Sequence, residues 1–141
     1  MDYCCKTANR KVERVQRRAL RAVYNDYTST YNQLLKKGNL QNIHKRNLNI
    51  LIVEVYKCIN KINPSILWDT FSKKSLKYSL RISNLLSQPK YKTYGLRSFT
   101  YKGAACWNHT DDKIKEIDNL LQFKKTVANM DYVYCNCEIC E

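Results

Sequence analysis

Residues 43–62 read IHKRNLNILIVEVYKCINKI and include the most apolar run of the chain. Placed on a helix at about 100° per residue, the large aliphatic side chains fall on one stripe. That stripe consists of Leu48, Leu51, Ile52, Val55, Ile59 and Ile62, and it is widened by Ile50, Val53 and Tyr56. A helix this apolar is typical of the centre of a core. The sequence therefore predicts a mainly α fold, a small helical bundle around one long central helix.

Shorter segments flank this helix. Capping residues, helical spacing and a break at Asn63-Pro64 predict further helices over 10–24, 31–37, 65–71, 113–117 and 120–128, with one helical turn at 104–108. Gly38 suits a helix end, and Asp118 or Asn119 suits the cap before the last helix. The β-compatible residues of 80–86 and 92–101 predict a short β-hairpin in the middle of the chain.

The first predicted helix, RKVERVQRRALRAVY, separates two kinds of side chain. Val12, Val15, Ala19 and Val23 form a stripe, here named the valine face, that we expect to pack on the core. Arginines occupy the other side, here named the arginine face: Arg10, Arg14, Arg17, Arg18 and Arg21. Guanidinium groups suit forked contacts with phosphate, so this face is the leading candidate for nucleic-acid binding. The alternative is a solvated helix face without a partner.

Charge is distributed unevenly along the 141 residues, whose formal net charge is +13. Residues 1–60 carry 12 Lys and Arg against 4 Asp and Glu, a net +8. Residues 61–102 carry 9 against 1, again +8, and residues 103–141 carry 4 against 7, a net −3. A basic excess confined to the first hundred residues is typical of a protein with a polyanionic partner, RNA or DNA.

The same patterns predict the domain organisation. Residues 1–9 form a flexible start, and 10–130 a single helical domain with a basic helical part (10–71) and a basic and aromatic part (72–130). Residues 131–141 form a cysteine-bearing tail. No signal peptide and no span of about 20 apolar residues is visible, so we expect an intracellular chain, in the nucleus or the cytoplasm, without membrane contact.

Two further groups of cations are candidates for phosphate contact. Lys45 and Arg46 lie beside His44 near the start of the long helix. In the middle of the chain lysines and arginines alternate with aromatic residues: Lys73, Lys74, Lys77, Arg81, Lys90, Lys92, Arg97 and Lys102 with Tyr78, Tyr91, Tyr94, Phe99 and Tyr101. Such a mixture can hold a single strand by stacking and charge. The alternative is that most of these rings pack inside the domain.

The tail contains the pattern C-x-C-x-x-C, at Cys135, Cys137 and Cys140. A structural zinc site needs four ligands, and the tail supplies three. Cys106, His109, Cys4 or Cys5 could supply the fourth. The alternative is a tail with free thiols, and Cys58 is expected in the core. No other cofactor is indicated.

Several phrases, in order, resemble one family: RVQRRALRAVYNDY (14–27), YNQLLKKGNL (31–40), IHKRNLNILIVEVYKCINKINP (43–64), YSLRISNLL (78–86), KTYGLRSFTYKGAACWN (92–108) and DKIKEIDNLLQFKKTV (112–127). Together they are similar to the region that follows the polymerase domain in non-LTR retrotransposon reverse transcriptase polyproteins, in particular Jockey-like elements. Gly95, Gly103 and Trp107 stand in its best-marked segment, the glycines for backbone freedom and the tryptophan for the core.

This resemblance also implies what the chain lacks. The family usually continues like WNSLPDEIK, whereas Trp107-Asn108 is followed here by His109-Thr110-Asp111-Asp112, without the proline. That Asp-Asp pair is not in the Y-x-D-D context of a polymerase metal site, and we expect it to begin a helix. The chain is thus similar to a C-terminal remnant without the catalytic residues of polymerase or endonuclease, and we expect no enzyme activity.

Two functions follow as hypotheses. In the first, the chain is a non-catalytic module that grips RNA or DNA through the arginine face. In the second, it is a structural or protein-interaction domain whose apolar long helix docks on a reverse transcriptase body absent from this chain, and this hypothesis predicts an exposed apolar patch.

Overall fold

The computed structural model describes residues 6–74 and 84–130, and helices dominate them, which confirms the predicted mainly α class. The α-helices are α1 (Lys6–Tyr24), α2 (Tyr31–Lys37), α3 (Ile43–Ile59), α4 (Phe99–Asn108), α5 (Asp112–Lys115) and α6 (Leu120–Asn129). Two 3-10 helices span Ser65–Thr70 and Thr93–Arg97. In the part of the chain covered here, no helix is both long and apolar enough to cross a membrane.

The bounds of the two longest helices differ from the prediction, and those of α5, α6 and the first 3-10 helix differ by one or two residues. Helix α1 begins at Lys6 rather than at Arg10. Helix α3 ends at Ile59 rather than at Ile62, because Lys61 adopts a left-handed conformation with φ 55°. The amide of Ile62 then bonds the carbonyl of Lys57, which closes the helix end.

The predicted β-hairpin is wrong. Its second segment is helical, because Ser98 caps α4 by accepting a hydrogen bond from the amide of Tyr101. Its first segment, 80–86, lies partly outside the described residues, and Leu86 instead forms an antiparallel bridge with Lys73. The residues after the cap pack Ala104, Cys106 and Trp107 into the core, and this burial outweighs local β propensity.

The chain divides into two compact units, with the boundary after Asn47, inside α3. Within the described residues, unit 1 is 6–47 and unit 2 is 48–74 with 84–130.

The core of unit 1 is small. Leu20 of α1 packs with Leu34 and Leu35 of α2, and Tyr24 and Tyr31 pack against this cluster. The connection between the two helices is held by Asp26, whose carboxylate accepts hydrogen bonds from the amides of Thr28 (3.2 Å) and Ser29 (3.0 Å). A few aliphatic side chains and local hydrogen bonds therefore fix this pair of helices.

The valine face does not pack on this core, contrary to the prediction. Val12, Val15 and Val23 are 46%, 66% and 74% exposed, while Leu20 is buried. The buried side of α1 is rotated by about 100° from the valine face, by the helical period. It is favoured because Leu20 is larger than valine and because polar groups on that side satisfy the hydroxyl of Tyr31.

Unit 2 has a larger core built around aromatic rings. Tyr56 of α3 stacks on Phe123 of α6 at 4.1 Å between ring centres, and Trp107 of α4 lies 6.3 Å from the same phenylalanine. The hydroxyl of Tyr56 lies 2.7 Å from each of the carbonyl oxygens of Ile117 and Asp118. The ring cluster is thus both apolar and satisfied in its hydrogen bonds.

Two neighbouring residues of α4 hold the segment that precedes it. The indole of Trp107 is buried, as predicted, and its N–H donates to the carbonyl of Asn84 at 3.1 Å. The amide of Asn108 accepts from the N–H of Leu86 at 2.8 Å and donates to its carbonyl at 3.0 Å. The Trp107-Asn108 pair therefore substitutes for a neighbouring strand along residues 84–86.

The glycines of this segment are required for space rather than for backbone freedom, which corrects the expectation. A Cβ at Gly103 would meet Phe71 and Val55 at 2.8 Å, and one at Gly95 would meet Tyr91 at 2.4 Å. None of the described glycines has a positive φ. Cys58 is buried, as predicted.

Candidate nucleic-acid interface

The arginine face follows the solvent side of α1. Arg10, Arg14, Arg17 and Arg18 are exposed, whereas Arg21 is half-buried. From Arg10 to Arg18, the first and last of the four exposed arginines, the helix rises by roughly 12 Å, at about 1.5 Å per residue. Four guanidinium groups therefore stand along one side of a rigid rod.

No carboxylate neutralises this face by a direct ion pair within residues 6–74 and 84–130. The ion pairs found there are Lys37–Asp26, Lys57–Glu54 and Lys115–Asp112. Among the same residues the Nε of Arg21 is buried without a hydrogen-bond partner. The charge of the arginine face is thus available to an anion.

Glu13 lies on the same helix, on the side that faces the rest of unit 1. Its Oε2 accepts a hydrogen bond from the hydroxyl of Tyr31, at the start of α2. Its Oε1 accepts the backbone N–H of His44, in the first turn of α3, at 3.0 Å. The first N–H groups of a helix lack partners within the helix and favour negative charge, so Glu13 acts as a cap for α3 supplied by α1.

Burial and the contacts with Glu13 change the pKa of Tyr31. Burial, followed by the hydrogen bond and the charge of Glu13, raises the pKa of Tyr31 far above its usual range, and the charge of Arg46 opposes the increase. The phenol therefore keeps its proton and remains a donor to Glu13. The hydroxyl also lies 3.0 Å from Oε1 of Gln16.

A pocket of about 260 Å³ opens beside Glu13 and Tyr31. Its lining consists of Asn9, Arg10, Glu13, Arg14, Arg17, Tyr31 and His44, all of unit 1. Asn9 is only 8% exposed, and its Nδ2 has no hydrogen-bond partner among the described residues. We name this cavity the arginine pocket. Its lining combines three arginine side chains with an amide donor that has no partner among the described residues.

The structure brings the start of α3 to the same place. Asn42 caps this helix, because its side-chain oxygen accepts the N–H of Lys45 at 2.7 Å. Arg46 is exposed and Lys45 is half-buried. Since His44 lines the pocket, the predicted candidates Lys45 and Arg46 follow directly after a pocket residue.

The basic and aromatic middle belongs to unit 2. Lys73 and Lys74 are exposed at the bridge, and Lys92 and Arg97 are exposed at the two ends of the second 3-10 helix. Lys102 is buried and is not part of a solvent-facing surface.

Its described aromatic residues divide between the two alternatives, stacking surface and internal packing. Phe99 is half-buried and packs edge-on against Phe71 at 5.2 Å, and Tyr101 is half-buried. Tyr91 is 43% exposed. Arg81 lies outside the described residues, and of Tyr94 only the backbone, in the second 3-10 helix, is described.

The predicted metal ligands Cys135, Cys137 and Cys140 also lie outside the described residues. Within residues 6–74 and 84–130 no group of three or more potential ligands comes together. Cys106, a candidate fourth ligand, is buried in α4.

The Asp-Asp pair begins a helix, as predicted. Asp111 caps α5 by accepting the N–H of Lys113 at 3.1 Å, and Asp112 forms an ion pair with Lys115 at 2.9 Å. Both carboxylates therefore have a structural use at this helix start.

Sequence reasoning missed Asn9, Glu13 and Tyr31 as site residues. One signal was present, because Glu13 is the only acidic residue between Asp2 and Asp26. A single carboxylate among so many arginines indicates a specific partner. The sequence does not identify the partners, Tyr31 and the amide of His44, because they depend on how α1, α2 and α3 pack together.

Comparisons with protein-family models, curated proteins and solved structures gave no match to this chain.

Proposed function

We propose that this chain is a non-catalytic nucleic-acid-binding module that holds the phosphate backbone of RNA or DNA through the arginine face. The observation that carries the proposal is the exposure of Arg10, Arg14, Arg17 and Arg18 along one side of α1, with no direct carboxylate partner among the described residues. Arginines that are not paired internally can exchange counterions for phosphates, which is the main source of affinity in such complexes.

The origin that we propose is the region after the polymerase domain of a Jockey-like reverse transcriptase polyprotein. The ordered phrases of the sequence support it. The phrase 92–108 ends in Trp107-Asn108, and the hydrogen bonds of this pair to residues 84–86 give it a structural role. In such a polyprotein the module would grip template RNA or target DNA in the nucleus or the cytoplasm, beside a reverse transcriptase body, and would need no cofactor.

Binding through this surface would be insensitive to sequence. Contacts to phosphate fix position and orientation and carry no base readout. Each neutralised phosphate releases counterions, so the affinity should fall steeply with salt, by a slope of about −0.9 in log K against log salt per phosphate on duplex DNA.

The test compares a structured RNA with a duplex DNA over a salt series, using the full chain and the triple variant Arg14→Gln, Arg17→Gln, Arg18→Gln. All three residues are exposed, so the fold should persist. We expect the slope on duplex DNA to become shallower by about 2.7, as three lost phosphate contacts require.

The matched control removes the same charge from unit 2, with Lys113→Gln, Lys124→Gln and Lys125→Gln, all exposed. We expect the control to keep nearly the full slope. Equal losses in the two triple variants would show that only net charge matters, and would contradict a specific role for the arginine face.

A specific observation favours a second function, protein docking. The valine face is exposed on α1, whereas the long helix that was expected to dock buries Leu51, Ile52 and Val55 in unit 2. If docking is the function, Val15→Ser and Val23→Ser should abolish association with a reverse transcriptase body and leave the salt slope on nucleic acid unchanged.

A further inference from the structure

The arginine pocket differs from the arginine face in shape. Arg10, Arg14 and Arg17 belong to both, but in the pocket they stand over a cavity of about 260 Å³. This volume is close to the lower end of the roughly 300–1,000 Å³ that is typical of small-ligand sites. It suits one phosphate with part of its sugar and does not suit a continuous strand.

The charge of the lining selects for an anion. Arg10, Arg14, Arg17 and Glu13 line the pocket, and their side chains carry a net charge of +2. Both oxygens of Glu13 already accept hydrogen bonds, one from the hydroxyl of Tyr31 and one from the N–H of His44, which fixes the carboxylate on that wall. The guanidinium groups are not paired to it directly.

A buried donor completes the site. The Nδ2 of Asn9 has no hydrogen-bond partner among the described residues, although the side chain is more than nine-tenths buried and lines the pocket. A buried amide without a partner costs about 1–3 kcal/mol, so such a group calls for an acceptor. Phosphate oxygens are acceptors only and bind guanidinium forks well.

We propose that the arginine pocket binds the terminal phosphate monoester of a nucleic-acid strand. A monoester carries about −1.5 to −2 at neutral pH, which matches the lining, while each internal phosphate of a strand carries one charge. A strand end can enter a small cavity, and an internal phosphate continues in both directions. The inference rests on the proposed function and adds a preference for strand ends to it.

The experiment measures the binding of the full chain to single strands of one sequence, labelled internally, that carry a 5′-phosphate, a 3′-phosphate or hydroxyls at both ends. We expect the 5′-phosphorylated strand, the 3′-phosphorylated strand or both to bind about tenfold more tightly than the hydroxyl-ended strand. This gain is equivalent to one charge-assisted hydrogen bond. Equal affinity for all three strands would overturn the inference, and the salt-dependent binding of the proposed function would stand.

Two single variants locate the effect. Arg14→Gln removes a guanidinium group that lines the pocket, and Arg18→Gln removes one from the same helix that does not. We expect both to weaken binding to the hydroxyl-ended strand similarly, and only Arg14→Gln to abolish the preference for the phosphorylated end. A preference that survives Arg14→Gln, or that Arg18→Gln removes equally, would contradict the pocket.

Asn9→Asp provides a second variant of nearly equal shape, which replaces the unused donor by an acceptor with negative charge. It should also abolish the preference.

An excess of a nucleoside monophosphate distinguishes the source of the phosphate. Binding of the mononucleotide without any binding of strands would overturn both this inference and the proposed function.

Discussion

Units 1 and 2 are both helical but are stabilised by different means. Unit 2 places Tyr56, Trp107 and Phe123 in one ring cluster, whose polar atoms bond main-chain carbonyls. Among the described residues of unit 1 the buried aliphatic cluster consists of Leu20, Leu34 and Leu35, and the carboxylate of Glu13 accepts hydrogen bonds from the starts of α2 and α3.

This contrast shows where stability and binding share residues. In unit 2 the core residues Tyr56, Trp107 and Phe123 are not among the candidate binding residues. In unit 1 the hydrogen bonds of Glu13 to Tyr31 and His44 hold the starts of α2 and α3 on α1, and these same residues line the arginine pocket. A change at Glu13 or Tyr31 should therefore alter stability and binding together, whereas a change in the ring cluster of unit 2 should alter stability alone.

The largest effect is expected from Phe123→Ala in unit 2. Phe123 is fully buried, and removing a buried phenylalanine ring costs about 3–5 kcal/mol through lost burial and a cavity. Denaturant unfolding followed by tryptophan fluorescence measures it, because both tryptophans, Trp68 and Trp107, belong to unit 2.

Leu121→Ala is the matched control on the same helix, since Leu121 is 63% exposed and should change stability by less than about 0.5 kcal/mol. Leu34→Ala tests the other side of the comparison, with an expected loss of about 2 kcal/mol in unit 1. The contrast between the cores would be broken if Leu34→Ala proved as costly as Phe123→Ala.

Glu13→Gln is expected to have smaller effects of opposite sign, a loss of stability and a gain in nucleic-acid affinity. The amide can accept only one of the two hydrogen bonds and turns an N–H₂ group towards a donor, so stability should fall by about 1–3 kcal/mol. The same change removes the negative charge of Glu13 from the pocket lining, so nucleic acid should bind more tightly at low salt.

Thermal unfolding and binding isotherms measure the two effects side by side. Glu116→Gln, an exposed site in unit 2, makes the same change of charge and should leave both nearly as they are. If Glu13→Gln lowered stability without affecting binding, the shared use of Glu13 would be refuted.

The smallest effect concerns pH and the connection between α1 and α2. Hydrogen bonds from Ser29, then from Thr28, lower the pKa of Asp26 from 3.8 to about 2. Since this carboxyl titrates at about 3.9 when unfolded, its stabilisation is complete above about pH 4 and is lost as the pH falls through about 2. The difference in Tm between the natural chain and Asp26→Asn should therefore shrink as the pH is lowered from 6 to 2.

Ser29→Ala sharpens this prediction, because it removes the largest cause of the shift. An NMR titration should find the pKa of Asp26 closer to its ordinary value in that variant. A difference in Tm that stays constant over the acid range would mean that the hydrogen bonds to Asp26 do not contribute through its charge.

Local patterns determined most of the helices. The prediction for 31–37 agrees with α2, because Thr30 and Gly38 mark its ends in the sequence. Asn119 caps α6 as one of the two predicted candidates, since its side chain accepts the amides of Leu121 and Gln122. The hairpin failed because alternating β-branched and aromatic residues are a weak signal beside a serine cap and a buried helix face.

The candidate site divides in the same way. The positions of the arginines on α1 and the excess of positive charge follow from the sequence alone, because the helical period fixes which residues share a side. Which side of α1 becomes buried was decided only by tertiary structure. The valine face and the side with Asn9, Glu13 and Leu20 are both available to a packing partner, and α2 and the start of α3 supply donors that only the second can satisfy. That choice exposes the valines and creates the arginine pocket, because a buried hydroxyl and a buried helix start must find acceptors, whereas an exposed valine costs little.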